Sequence, residues 1–197
     1  NETRYDHTAL AAENGNFQWG DWLSYEPLES RSNSVYRDSD PSKGLLPEAV
    51  EYWNYLGACY WAMDAGMMAQ MAKATGRPSE RFEKMEAEAK AYLKSRFLLP
   101  DGSFKLPVLN TMQTPALFAL KNDLVEGKAK ENMVARLRKN FEDHDNCLQT
   151  GFLGTSILMQ TLSDNGMTDI AYELLFQHKN PSWMYSIDNG ATTIWER

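Results

Sequence analysis

The sequence predicts an all-α protein built of helical hairpins, and three observations carry that prediction. From about residue 46 onward, apolar residues recur at intervals of three and four. No stretch shows the convincing period-two alternation of a half-buried strand. The periodic stretches are separated by short turns bearing Gly, Asn and Asp, which fold successive helices back as antiparallel neighbours. There is no tight internal repeat of the solenoid kind.

In chain order, residues 1–45 read as an irregular segment. Asn14-Gly15-Asn16 marks a turn, and Ser30 to Gly44, rich in Ser, Asp, Asn, Pro and Gly, reads as a long polar loop. Loops of that length in compact domains often carry function. Residues 46–197 read as the helical hairpins. Leu46-Pro47 opens a first helix running to about Thr75. There Val50, Trp53, Gly57, Tyr60, Asp64, Met67 and Met71 share a face, and Gly76 stops it. Phe82, Met85, Ala89, Tyr92, Leu93 and Phe97 mark a second helix, followed by an Asp101-Gly102 turn. A third is expected over Thr114 to Leu124, with Pro115 in its first turn, where a missing N–H is tolerated. Met133, Val134, Leu137 and Phe141 mark a fourth. Phe152, Leu153, Ile157, Leu158 and Leu162 mark a fifth, ended by Asn165-Gly166. Ile170, Ala171, Leu174 and Leu175 mark a sixth, with Thr168 as the expected N-cap. Met63, Met67, Met68 and Met71 follow helical spacing and are expected to fill the core.

At 197 residues the chain is expected to form one domain with a sizeable core. A formal net charge of -7 argues against nucleic acid or an anionic membrane surface as a partner. No apolar run reaches the length of a membrane span. The opening Asn-Glu-Thr-Arg-Tyr-Asp-His lacks the basic and apolar regions of a signal peptide, and periplasmic, secreted and cytoplasmic placement all stay open. Cys59 and Cys147 form no motif, and Cys59 is expected as a buried free thiol. His7, His144 and His178 lack ligand spacing, so a metal site is not expected; His144 reads as part of a solvated turn.

The chemistry-bearing signal is concentrated in Pro181 to Arg197. Trp195 stands beside the carboxylate of Glu196 after a Gly-Ala-Thr-Thr turn, and Trp183 opens the same segment. A flat indole packs on the apolar face of a pyranose, and a neighbouring carboxylate binds a hydroxyl or activates water. Trp19 and Trp22 flank Gly20-Asp21 outside any helical pattern. Read from the residues alone, Glu196 suits the capping of a helix N-terminus better than a catalytic role, Trp22 equally suits local packing, and Trp53 suits the core of the first helix.

Three stretches resemble the catalytic domain of the α-L-rhamnosidases of glycoside hydrolase family 78. They are Gly20-Asp21-Trp22-Leu23; Gln113-Thr114 through Leu117-Ala119-Leu120 to Thr150-Gly151-Phe152-Leu153-Gly154-Thr155; and Pro181-Ser182-Trp183 through Gly190-Ala191-Thr192-Thr193-Ile194-Trp195-Glu196-Arg197. The first is a weak signal by itself; the other two, in this order and spacing, are strong. The resemblance implies an α/α six-barrel with two rings of six helices, of which this chain would supply about half, the C-terminal part. A bacterial origin is expected.

The resemblance further implies inverting hydrolysis of a terminal α-L-rhamnosyl bond in an oligosaccharide or glycoside, with Glu196 as general base and no cofactor. Asp21 is then expected to orient Trp22 or take a sugar hydroxyl, Trp22 to wall the rhamnose pocket, and Trp53 and Trp195 to line it. The family's general acid lies in an Asp-Glu-Arg segment, and no Asp-Glu-Arg occurs in these 197 residues. The chain alone is therefore expected to be inactive, to need the missing half of the same domain as its partner, and to self-associate through an exposed apolar face. Two other readings accompany this one: a non-catalytic helical carbohydrate-binding domain, and an α/α-toroid glycosidase for another sugar.

Overall fold

The structure, a computed structural model, describes residues 20–28 and 47–195. The polar loop 30–44, Trp19, His7, Glu196 and Arg197 lie outside those residues.

Helix α1 (Pro47–Ala74) has Pro at its first position, Glu48 in its first turn and Lys73 in its last, each matching the helix dipole. Its buried face is lined by Ala58, Ala62, Ala65, Gly66, Ala69 and Ala72, so a neighbour can approach closely. That neighbour is α2 (Glu80–Phe97), packed along α1. A Cβ on Gly66 would stand 3.1 Å from the Glu86 carboxyl carbon, which shows how near the two helices lie. The Ala/Gly stripe taking this contact corrects the reading of the methionines. Met67, Met68 and Met71 fall on other faces of α1 and are 49%, 42% and 54% exposed.

After α2, Asp101 accepts hydrogen bonds from the Ser103 N–H and hydroxyl, and the chain passes a 3-10 turn, Pro107–Thr111, into α3 (Gln113–Lys121). Every residue of α3 except Lys121 is buried. A helix buried all round must be enclosed by neighbours. Those are α1, the heavily charged α4 (Gly127–Asp143), which buries only Met133, Leu137, Asn140 and Phe141, and α5 (Phe152–Asp164). Helix α6 (Thr168–Leu175) packs on α5. Three hairpins result, α1/α2, α3/α4 and α5/α6, with α1, α3 and α5 as a contiguous row and their partners outside it. The Tyr55 hydroxyl ties α1 to α3 by donating to the Pro115 carbonyl at 2.8 Å, while its ring stands edge-on to Phe97 and Phe104.

All six expected helices are present, with two differences at their ends. The third stops at Lys121 rather than Leu124, because Asp123 adopts a positive φ of 52° and the Leu124 N–H turns back to the Ala119 carbonyl. Thr168 is the first residue of α6, and Met167 takes the cap position. A further short helix, α7 (Trp183–Asp188), lies in the terminal segment, where Ser182 accepts from the Tyr185 N–H at 3.0 Å. No helix among the described residues is long and apolar enough to cross a membrane. Cys59 and Cys147 are both buried and free.

Candidate active site

The helices α3 and α5 begin side by side, and neither has a capping side chain from its own N-cap residue, Met112 or Gly151. First-turn N–H groups left this way need acceptors. The segment 20–28 supplies them. Asp21 accepts from the Gly151 N–H (2.8 Å) and the Thr114 hydroxyl (2.6 Å) on Oδ2, and from the Gly154 N–H (2.9 Å) on Oδ1. Oε1 of Glu26 accepts from the backbone N–H groups of Gln113 and Thr114. Thr114 is thus held by both carboxyl groups, one on its hydroxyl and one on its amide.

The glycines of the Thr-Gly-Phe-Leu-Gly-Thr stretch follow from this convergence. A Cβ on Gly151 would overlap the carbonyl oxygens of Asp21 and Trp22, and one on Gly154 would overlap the Thr114 hydroxyl and the Thr150 side chain. The segment is further pinned where Phe152 donates to the Trp22 carbonyl (3.0 Å) and Tyr25 to that of Gln149 (2.9 Å). Gln113 binds the Gln149 N–H and the Cys147 carbonyl through its side-chain amide. Leu23 is forced to a φ of 66°, a region unfavourable for a branched side chain.

Both carboxyls are buried, Asp21 at 0% and Glu26 at 2% exposure. Burial pushes the Asp21 carboxyl up, while its bonds to Thr114, Gly154 and Gly151 oppose the rise. Glu26 is pushed up to about 8, first by burial and then by the charge of Asp21, so at neutrality it holds its proton.

Above this knot lies an open cleft of about 630 Å³. Trp22 and Tyr25 form one wall, Thr150, Phe152 and Thr155 at the start of α5 form the floor, and α7 with Ala191–Trp195 forms the other wall. Trp22 and Trp195 both line this cleft, and Trp195 is 42% exposed. Two expectations are corrected. Asp21 is not available to a sugar hydroxyl: its oxygens face helix starts and it has no exposed surface. Trp53 is 3% exposed within the core cluster and does not line the cleft, because its face of α1 packs inward. Glu196 follows the cleft wall directly but lies outside the described residues.

The sequence reading missed Glu26, Thr114 as their common partner, and the lining roles of Tyr25, Phe152 and Tyr185. Glu26 sits in a segment without periodicity, and no spacing ties it to α3. Among the described residues, no cluster of His, Cys, Asp and Glu is placed to hold a metal ion.

Residues 2–197 match the family model of the bacterial alpha-L-rhamnosidase 6 hairpin glycosidase domain. The chain is 38% identical over 182 residues to an alpha-L-rhamnosidase of Formosa agariphila, a match covering 91% of this chain and 18% of that protein. It is 33% identical over 177 residues to one of Streptomyces avermitilis, covering 89% and 17%. The crystal structure of Streptomyces avermitilis alpha-L-rhamnosidase complexed with L-rhamnose superposes with a TM-score of 0.73 at 29% identity, covering 92% of this chain and 15% of that one. Native alpha-L-rhamnosidase from Aspergillus terreus gives 0.71 at 25%, covering 93% and 20%. The chain thus spans less than a fifth of the length of the two curated relatives. Its hairpin order, its converging motif segments and its match along nearly the whole length agree: the chain belongs to the bacterial α-L-rhamnosidase six-hairpin glycosidase domain family.

Proposed function

We propose that this chain is part of a glycoside hydrolase that removes terminal α-L-rhamnosyl groups from glycosides or oligosaccharides by an inverting route, with Glu196 as the general base. The observation that supports this reading most is the aromatic cleft whose wall, Ala191–Trp195, leads directly into Glu196. Rhamnose carries a methyl group at C5, and the indoles of Trp22 and Trp195 offer apolar surface to such a group. In an inverting site two carboxyls stand roughly 6.5–9.5 Å apart, leaving room for a water between base and anomeric carbon. Glu196 removes a proton from that water as it attacks, and the acid protonates the departing oxygen from the other side. No cofactor enters this chemistry.

Neither buried carboxyl suits the acid role. Asp21 is bound to two helix starts, and Glu26 is sealed beneath the segment it anchors. By family resemblance the acid belongs to an Asp-Glu-Arg segment that these residues lack, and we assign it to the remainder of the catalytic domain. That remainder is then the chain's principal partner, and the 197 residues alone are inactive.

The test follows release of an aryl alcohol from an aryl α-L-rhamnoside by the full-length protein. Glu196→Gln should lower kcat by about 10²–10⁴-fold, the usual contribution of a positioned base. Undiminished activity in Glu196→Gln would remove the base assignment. Absence of activity in both proteins would favour a carbohydrate-binding domain or another sugar.

A further inference from the structure

We propose that Asp21 and Glu26 are positioning residues of the cleft: by tying the strap 20–28 to the starts of both α3 and α5, they set where Trp22 and Tyr25 stand opposite Trp183 and Trp195. Four observations carry this. The two carboxyls reach adjacent helices and share Thr114, so the strap cannot shift relative to one helix without breaking its bonds to the other. The strap's own backbone is bonded to the segment 149–152 at two points, where the Phe152 N–H donates to the Trp22 carbonyl and the Tyr25 N–H to the Gln149 carbonyl. Gly151 leaves no space between floor and strap. Of the four side chains between the two anchors, Trp22, Leu23 and Tyr25 line the cleft, and Ser24 is buried. Acceptors buried under a binding wall have no route to the ligand except through that wall, so their effect should be felt as binding geometry. For its kinetic arm this inference rests on the rhamnosidase reading of the cleft; its structural arm does not.

The experiment uses the full-length protein in four forms: wild type, Asp21→Asn, Trp22→Ala and the double variant. Kinetics on an aryl α-L-rhamnoside are paired with peptide-level hydrogen–deuterium exchange. Asp21→Asn should raise KM about tenfold, the size of one lost charge-assisted hydrogen bond, while kcat changes less than about threefold. In the Trp22→Ala background the same change should add less than about twofold, because the wall it positions is already gone. Full additivity of the two changes, or a fall in kcat with KM unchanged, would overturn the inference.

Should the wild type not hydrolyse the rhamnoside, the functional reading fails and exchange alone decides. Asp21→Asn should then speed exchange in peptides covering 20–28 at least about tenfold while the α1/α2 hairpin is unchanged. Equal exchange in both proteins would overturn the positioning role. Thr114→Val, which removes the hydroxyl that donates to Asp21 at nearly constant shape, replaces Asp21→Asn in every arm if the latter does not fold.

Discussion

The protonated state of Glu26 gives the most quantitative prediction. Its carboxyl sits at 4.5 in an unconstrained chain and about 8 in the fold, raised by burial and by the charge of Asp21. Below 4.5 both folded and unfolded chains hold the proton and its stabilising contribution is complete. Between 4.5 and about 8 only the folded chain holds it, so stability falls as pH rises; above about 8 the contribution is gone. At about 1.4 kcal/mol per pH unit, the loss between roughly pH 6 and pH 9 is about 3 kcal/mol.

Glu26→Gln is nearly isosteric with the protonated acid and keeps an oxygen for the Gln113 and Thr114 N–H groups, but it cannot ionise. Near pH 6 the two proteins should be within about 1 kcal/mol of each other. Near pH 9 the variant should be the more stable by about 2–3 kcal/mol, read as a higher thermal midpoint. Taking the difference between the two proteins at each pH cancels the titrations that are not coupled to Glu26; Asp21, whose charge acts on it, is the exception. Midpoint curves that stay parallel across this range would refute the protonated assignment. A variant markedly weaker at the acid end would refute the isosteric argument.

Other perturbations separate the effects that hold the fold. Gly151→Ala places a methyl against two carbonyl oxygens and should cost about 1–3 kcal/mol, read as a lower thermal midpoint; an unchanged midpoint would mean that the strap is not seated as described. Phe118→Ala, at a fully buried position of α3 whose ring lies 5.4 Å from that of Tyr60, should cost about 3–5 kcal/mol by chemical denaturation. Arg138→Ala breaks a two-pronged ion pair with Asp169 (2.7 and 2.9 Å), yet both side chains are partly in solvent, so the loss should stay below about 1 kcal/mol. Together with the loss of kcat in Glu196→Gln, these outcomes distinguish damage to the scaffold from damage to the chemistry.

The helices were legible because a helix buried on one side writes its period into the sequence. Trp53, Tyr60, Leu137, Leu158 and Leu174 could be assigned to helices from spacing alone, and the terminal aromatics singled out by composition are among the residues that line the cleft. Spacing does not say which side of a helix takes the contact when small residues compete with large ones. On α1 the Ala/Gly stripe packs against α2 and leaves Met67, Met68 and Met71 outside. Nor does composition distinguish a carboxylate that meets substrate from one that caps a helix. Asp21 reads as either, and only the arrival of α5 and Thr114 beneath it decides. Glu26 carries no sequence signal, since its partners lie some eighty-seven positions away. The sequence by itself determined the helical class, the family motifs and the aromatic cluster, all of which are local in the chain. The tertiary structure decided the fate of the carboxyls, because burial and the pairing of distant backbone N–H groups exist only once the hairpins have packed.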